Sequence, residues 1–401
     1  MSGAPTVQAG HPLIHWTENG AQHAARWRSE SGIAPPKRVV IADDRTTADQ
    51  AYRLACEGTA LLWRGDFQNA RQLLQALARR ADQKSDKPKR TRKTDPAAAA
   101  GTATTTAAPL AAFHLHRQAQ SQRARTLAML LLPFEADYTI PLRRAPDVQL
   151  ACNQAYGRCD EPFVASLREL LGLIGAHEWR RTGVELAQLE QRIHPHYGVF
   201  APIRSEYVAL VDEAPLPPRA SLAFDIGTGT GVLAAVLAKR GIQHIIATDM
   251  DPRALSCARD NLARLNLTDK VDVIQANLFP PGRAPLIVCN PPWLPARPSS
   301  PIEHAVYDPD SAMLRGFLAG LAAHLEPGGE GWLILSDLAE HLGLRTRAEL
   351  LDWIAQGGLT VIARNDVKPS HPRALDATDA LHAARAAEVT SLWRLNIAPV
   401  D

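Results

Sequence analysis

Ser221-Leu222-Ala223-Phe224-Asp225-Ile226-Gly227-Thr228-Gly229-Thr230-Gly231 is the stretch whose reading decides the fold. Its first five residues read as a buried strand, the next six as a glycine loop, and Val232 to about Arg240 as a helix. Strand, glycine loop, helix is the arrangement in which a backbone approaches a cofactor closely, because a Cβ would stand in the way. Working outward, His244–Thr248 is a second apolar strand ending in Asp249. That acid falls about 20 residues beyond the loop, where α/β cofactor folds hold a ribose, and Met250 follows it. Pro252–Leu265 reads as a helix, Val271–Gln275 as a third strand leading to Asn277 and Leu278, and Pro285–Cys289 as a fourth strand. Polar residues at successive strand ends describe a nucleoside site on one edge of a parallel sheet.

The loop also discriminates between cofactors. A dinucleotide fingerprint requires G-x-G-x-x-G/A, but after Gly227 and Gly229 the last position is Val232, and Gly231 gives G-x-G-x-G instead. Asp225 at the strand end suits the cationic amino end of S-adenosyl-L-methionine and repels a pyrophosphate. The expected donor-binding residues are therefore Asp225, Gly227, Thr228, Gly229, Gly231, Asp249, Met250, Asn277 and Leu278, with no metal.

The fourth strand runs straight into Asn290-Pro291-Pro292-Trp293, the most specific signal in the chain. An amide or aromatic-amine nitrogen is a poor nucleophile because its lone pair is delocalised. An Asn side-chain carbonyl and the backbone carbonyl of the following Pro can each accept one N–H, which directs that lone pair at a methyl group. The paired prolines fix the backbone and bring no competing donors, and Trp293 offers a flat face to a planar acceptor. The bland alternative is a strand followed by a Pro-Pro turn, and its place after the donor-site pattern weighs against that.

Together, Asp225–Gly231, Asp249, Asn277 and Asn290–Trp293 resemble the class I methyltransferases that carry the small methyltransferase domain. That group includes HemK-type protein-glutamine N-methyltransferases and ribosomal-RNA base amino-methyltransferases. The resemblance covers about Tyr197 to Leu395 and implies a Rossmann-like seven-stranded sheet with a reversed last strand, with Pro327–Leu335 and Val389–Leu395 among its late strands. Two positions depart from the pattern. Asn277 stands where an Asp is usual, and Trp293 where Tyr or Phe is common.

The first half carries no catalytic motif. Arg38–Ala42 and Ala60–Trp63 read as strands, with Thr47–Cys56 and the segment after Asp66 as helices, an α/β pattern. Lys84 to Pro109 is first basic, then rich in Ala and Thr, and reads as a flexible linker or inserted loop. Its KPKRTRK run is either a phosphate-binding tether or a solvated charge run. Leu127–Leu132 is a strand or buried helix, and Pro162–Ile174 and Gly183–Ile193 read as helices. The expected organisation is an N-terminal α/β region (1–83), the linker (84–109), the rest of that domain with connecting helices (110–195), and the methyltransferase domain (196–401).

The whole chain has 401 residues, 46% hydrophobic and 21% charged, with a net charge of +2. That balance suits a globular protein and gives no sign of a dedicated nucleic-acid binder. Five cysteines without repeated short spacing argue against a disulfide framework and against structural zinc. With neither an apolar h-region nor a bilayer-length apolar run, the reading is a soluble cytoplasmic enzyme away from membranes. The expected partner is a translation-related macromolecule, with a glutamine side chain first and an RNA base second. A small-molecule amine acceptor and a non-catalytic binding protein remain further readings.

Overall fold

The computed structural model describes residues 11–85, 107–203, 205–218, 220–298, 303, 305–369 and 376–399. Those residues divide into two compact units, one of residues 11–85 with 117–177 and one of residues 107–116 with 178–399. Most of the segment read as a linker lies outside the described residues.

The first unit opens with a hairpin, β1 (Leu13–Glu18) and β2 (Ala21–Trp27). Asn19 and Gly20, both with positive φ, make the two-residue turn that matches the twist of paired strands. Then come β3 (Arg38–Ala42), α1 (Ala48–Cys56), β4 (Thr59–Trp63), α2 (Phe67–Ser85), α3 (Ala107–Leu127), β5 (Leu130–Phe134), α4 (Gln149–Tyr156), β6 (Phe163–Ser166) and α5 (Leu167–Thr182), the start of α3 and the end of α5 counting with the second unit. The six strands form one sheet in the order β1-β2-β6-β5-β4-β3. Strands β3, β4 and β5 run parallel, whereas β6 is antiparallel to β5. All five residues of β4 are buried, which is why Ala60–Trp63 reads as a continuous apolar run rather than an alternation.

Two sequence readings change here. Pro162–Ile174 is not one helix, because its buried Phe163–Ser166 joins the sheet as β6 before α5 begins. Gly183–Ile193 is not a helix either but a hairpin of β7 (Val184–Leu186) and β8 (Gln191–Ile193). Leu186, Leu189 and Ile193 have helical spacing and are all buried, but Gly183 and Glu190 take positive φ and turn the chain back.

The second unit continues with α6 (Glu206–Glu213), β9 (Leu222–Ile226), α7 (Val232–Lys239), β10 (His244–Asp249), α8 (Pro252–Arg264), β11 (Val271–Gln275), β12 (Ala284–Cys289), α9 (Ala312–His324), β13 (Leu325–Ser336), α10 (Leu338–His341), α11 (Arg347–Gln356), β14 (Leu359–Val367), α12 (His382–Ala387) and β15 (Thr390–Ile397). Its seven strands lie in the order β11-β10-β9-β12-β13-β15-β14. The five on the β11 side are parallel, and the last strand, β15, runs antiparallel to both β13 and β14. This is the seven-stranded sheet with a reversed last strand expected of a class I methyltransferase.

Alternation along the strands divides the core between the two faces. Ala223, Leu286, Val288, Trp332 and Ile334 pack with α6 and α7, while Phe224, Ile287, Cys289, Leu333 and Leu335 pack with α9 and α11. Every residue of β12 is buried, each aliphatic side chain contributing about 1.5–3 kcal/mol. The strand that delivers Asn290 is thus held rigidly from both sides. Among the described residues no helix is long and apolar enough to cross a membrane.

Candidate active site

The parallel order brings the C-terminal ends of β9, β10, β11 and β12 to one edge. The glycine loop after β9 is tied to its neighbour, since the amides of Gly227 and Thr228 both donate to the Thr248 carbonyl at 2.9 and 2.8 Å. Gly227 takes φ 73° and Gly229 φ 55°, conformations that side chains resist. A Cβ on Gly227 would stand 2.6 Å from Met313 Cε, whereas one on Gly229 would face open space. Gly231, also in the left-handed region, is the N-cap of α7.

Asp225 is 1% exposed. Its Oδ2 accepts the Thr228 hydroxyl at 2.6 Å and the Ala234 amide at 3.1 Å, while its buried Oδ1 has no partner among the described residues. Burial pushes this carboxyl up to about 6, against the pull of those two hydrogen bonds. A carboxylate with one oxygen unsatisfied beside a glycine loop is short of a cationic donor.

Asp249 closes β10. Its Oδ2 accepts the Gly229 amide and its Oδ1 the Asp251 amide, both at 3.0 Å, so it orders the loop as well as presenting its remaining lone pairs. Burial raises its pKa. Next to it, Met250 is 62% exposed, an apolar face at the strand end. Beyond β11, Asn277 is exposed, and Leu278 sits at φ 68°, strained for a bulky residue. The buried Thr248 hydroxyl donates to the Leu278 carbonyl at 2.7 Å and fixes that turn. Thr248, which organises both loops, is a residue the motif reading missed. Only its burial in a strand signalled it.

These residues fit S-adenosyl-L-methionine. The unsatisfied Asp225 oxygen suits an ammonium, Asp249 a ribose diol, and exposed Met250 and Asn277 a flat base with a polar edge. Among the described residues no group of three or more His, Cys, Asp or Glu could hold a metal ion, and all five cysteines are free.

Asn290 emerges half-buried from β12, followed by buried Pro291 and half-buried Pro292 and Trp293. The Trp293 indole Nε1–H donates to Asn290 Oδ1 at 2.9 Å. An indole nitrogen can only donate, so the amide atom facing it must be the oxygen, and the amide orientation is fixed. Trp293 also packs against the clusters on both faces of the sheet. Its position therefore gives it a second role beside the flat face read from the sequence, that of holding the Asn290 amide.

The next turn is locked in place. The Leu294 amide donates to Val306, and the Asp308 amide to Leu294. Asp308, 6% exposed, accepts the Met313 and Leu314 amides at the start of α9, and burial raises its pKa. Leu294 packs with Leu338, Leu342, Leu381 and Phe113, the last from the first turns of α3.

Residues 192–345 match the family model of the methyltransferase small domain. A release factor glutamine methyltransferase of Cereibacter sphaeroides is 32% identical over 45% of this chain and 65% of its own length. A ribosomal protein L11 methyltransferase of Clostridium perfringens is 41% identical over 17% of this chain and 22% of its own. The chain thus spans less than two thirds of the length of either curated relative. Among solved structures, a methyltransferase from Pyrococcus furiosus aligns with 55% of this chain and 96% of its own at 17% identity and a TM-score of 0.37. The strand order, the strand-end residues and the family match agree in one respect: residues 192–345, within the second unit, are similar to the methyltransferase small domain.

Proposed function

We propose that the chain transfers a methyl group from S-adenosyl-L-methionine to a planar amide or exocyclic amine nitrogen of a macromolecule, with a protein glutamine as the favoured acceptor. The observation that carries this reading is Asn290. It stands at the end of a rigid strand, on the same sheet edge as the glycine loop, with its carbonyl oxygen oriented by Trp293.

The donor, when bound, supplies an electrophilic methyl on a sulfonium. The chain's residues bind and orient. Asp225 would hold the amino end of the donor and Asp249 its ribose, and Asn290 Oδ1 and the Pro291 carbonyl would each accept one N–H of the acceptor. With both N–H groups held, the nitrogen lone pair turns out of conjugation and toward the methyl. The bound donor would supply the methyl, sulfur keeping the S–C bonding pair, and the acceptor nitrogen would release one proton to solvent. No strong base is needed before attack.

The relatives named for release factor glutamine and for ribosomal protein L11 both support a protein acceptor. An RNA base amine presents the same planar N–H₂ group and is the second reading, for which the half-buried Trp293 supplies an aromatic neighbour. The test is labelled-methyl transfer into extract. Label that survives nuclease supports the glutamine reading, and label lost to nuclease moves the acceptor to RNA.

A further inference from the structure

One face of α9 touches two of the loops at the donor edge. Met313, Gly316 and Gly320 recur along the helix at spacings of three and four, which places them on that face. A Cβ at Gly316 would stand 2.8 Å from Leu278 Cδ1, and one at Gly320 2.6 Å from Phe279 Cε2. The two glycines thus let the loop after β11 lie directly against the helix. Met313 extends the same face to the loop after β9, where its Cε is the atom that a Cβ on Gly227 would meet. The adjoining face of α9, with Leu314, Leu318 and Leu321, is buried against the sheet, and half-buried Met313 stands at the margin of that cluster.

The backbone of Met313 is tied to the acceptor side. Its amide donates to both carboxylate oxygens of Asp308 at 3.0 Å. The Asp308 amide in turn donates to the carbonyl of Leu294, the residue after Trp293, at 2.8 Å. Between Asp308 and Met313 the chain takes left-handed φ twice in succession, 58° at Asp310 and 53° at Ser311, the latter 3% exposed. Neither residue is glycine, and strained backbone of this kind concentrates at ligand sites. Here the strained turn sets the start of α9, and Met313 with it, against the glycine loop.

We propose that Met313 is a donor-contact residue, its thioether and terminal methyl covering the amino-acid end of bound S-adenosyl-L-methionine. The glycine loop itself assigns that end. Gly227 lies two residues from Asp225, read above as the ammonium partner. Gly229 is bonded to Asp249 at the ribose end, and a Cβ there would meet nothing. The side chain suits the task, because an unbranched thioether is polarisable and adapts its rotamers to what it covers. Asp308 makes the contact consequential, since it fixes Met313 from the turn that follows Asn290–Trp293. The inference rests on the donor site described above and not on which nitrogen receives the methyl.

The test is NMR of the full chain carrying isotope-labelled methionine methyls, which gives four signals, from Met1, Met129, Met250 and Met313. Met313→Leu and Met250→Leu, which keep the bulk, assign their signals by loss. On titration with unlabelled S-adenosyl-L-methionine, the Met313 and Met250 signals are expected to shift. That of Met129, packed against the first unit's core, is expected to stay. Met313→Ala is expected to bind the donor about fourfold more weakly in calorimetry, the worth of about one buried methyl group. A Met313 signal that stays while Met250 moves, or wild-type donor affinity in a folded Met313→Ala, would overturn the proposal and leave the donor site standing. A Met129 shift as large as that of Met313 would mark a change spread through the chain and also overturn it. Absence of donor binding by the wild-type chain would overturn the proposal together with the donor site on which it rests.

Discussion

Replacing Trp293 by Phe separates two roles that one side chain could play. Phenylalanine keeps a flat aromatic face but has no N–H, so the 2.9 Å bond to Asn290 Oδ1 is lost and the amide is free to rotate. A neutral hydrogen bond of this kind contributes about 0.5–1.5 kcal/mol. If all of it serves to orient Asn290 in the transition state, transfer slows about 2- to 13-fold at saturating donor and acceptor. Donor affinity should be unchanged, because Trp293 makes no contact with Asp225, the glycine loop or Asp249 among the hydrogen bonds of that edge. The assay is the rate of labelled-methyl transfer under saturation, paired with calorimetric titration of S-adenosyl-L-methionine. A variant with wild-type turnover would refute the orienting role. A variant whose defect lies wholly in acceptor KM would assign Trp293 to stacking alone.

Other perturbations follow from the same geometry. Asp249→Ala removes the acceptor for the Gly229 amide along with the proposed ribose partner, and should weaken donor binding by about 1–3 kcal/mol in calorimetry. Asp225 has a folded pKa of about 6, above the ordinary 3.8, so the folded state binds more protons between these values and the residue's contribution to stability falls as pH rises through that window. Asp225→Asn should therefore gain stability relative to wild type from pH 4 to pH 6 in denaturant titrations. Because the ammonium of the donor favours ionised Asp225, wild-type donor affinity should climb as pH approaches about 6 and level off above it. Gly227→Ala meets only the flexible end of Met313, so its cost is mainly the left-handed backbone, about 1–2 kcal/mol in chemical denaturation, with weakened donor binding alongside.

The glycine loop and the strand ends around it were legible because they rest on backbone rules. Positive φ at Gly227, Gly229 and Gly231 requires glycine, and acids at parallel strand ends require no tertiary knowledge to place. β12 carries a continuous apolar run because every one of its residues is buried. What escaped was set by contacts distant in sequence or by short elements. The Asn19-Gly20 turn is a readable hairpin signal, but the β2 segment beside it does not alternate, and it lies upstream of Arg38–Ala42, the first strand the sequence shows plainly. The β7–β8 hairpin imitates a helix because Leu186, Leu189 and Ile193 happen to fall at helical spacing. α3 emerges from an Ala- and Thr-rich tract whose composition argues for a linker, yet Phe113 is buried against Leu294 in the second unit's core. Neither Thr248's double anchorage nor the Trp293–Asn290 bond has a sequence signature, since both depend on how neighbouring loops meet.

The most direct test of the central claim is transfer of labelled methyl from S-adenosyl-L-methionine by the wild-type chain and by Asn290→Ala, using extract from cells that lack the protein as acceptor. The expected result is label in a macromolecular fraction with the wild type, and none with Asn290→Ala, while calorimetry shows the variant binding the donor as tightly as wild type. Equal labelling by both proteins would contradict the assignment of Asn290, and donor binding by neither would contradict the site as a whole.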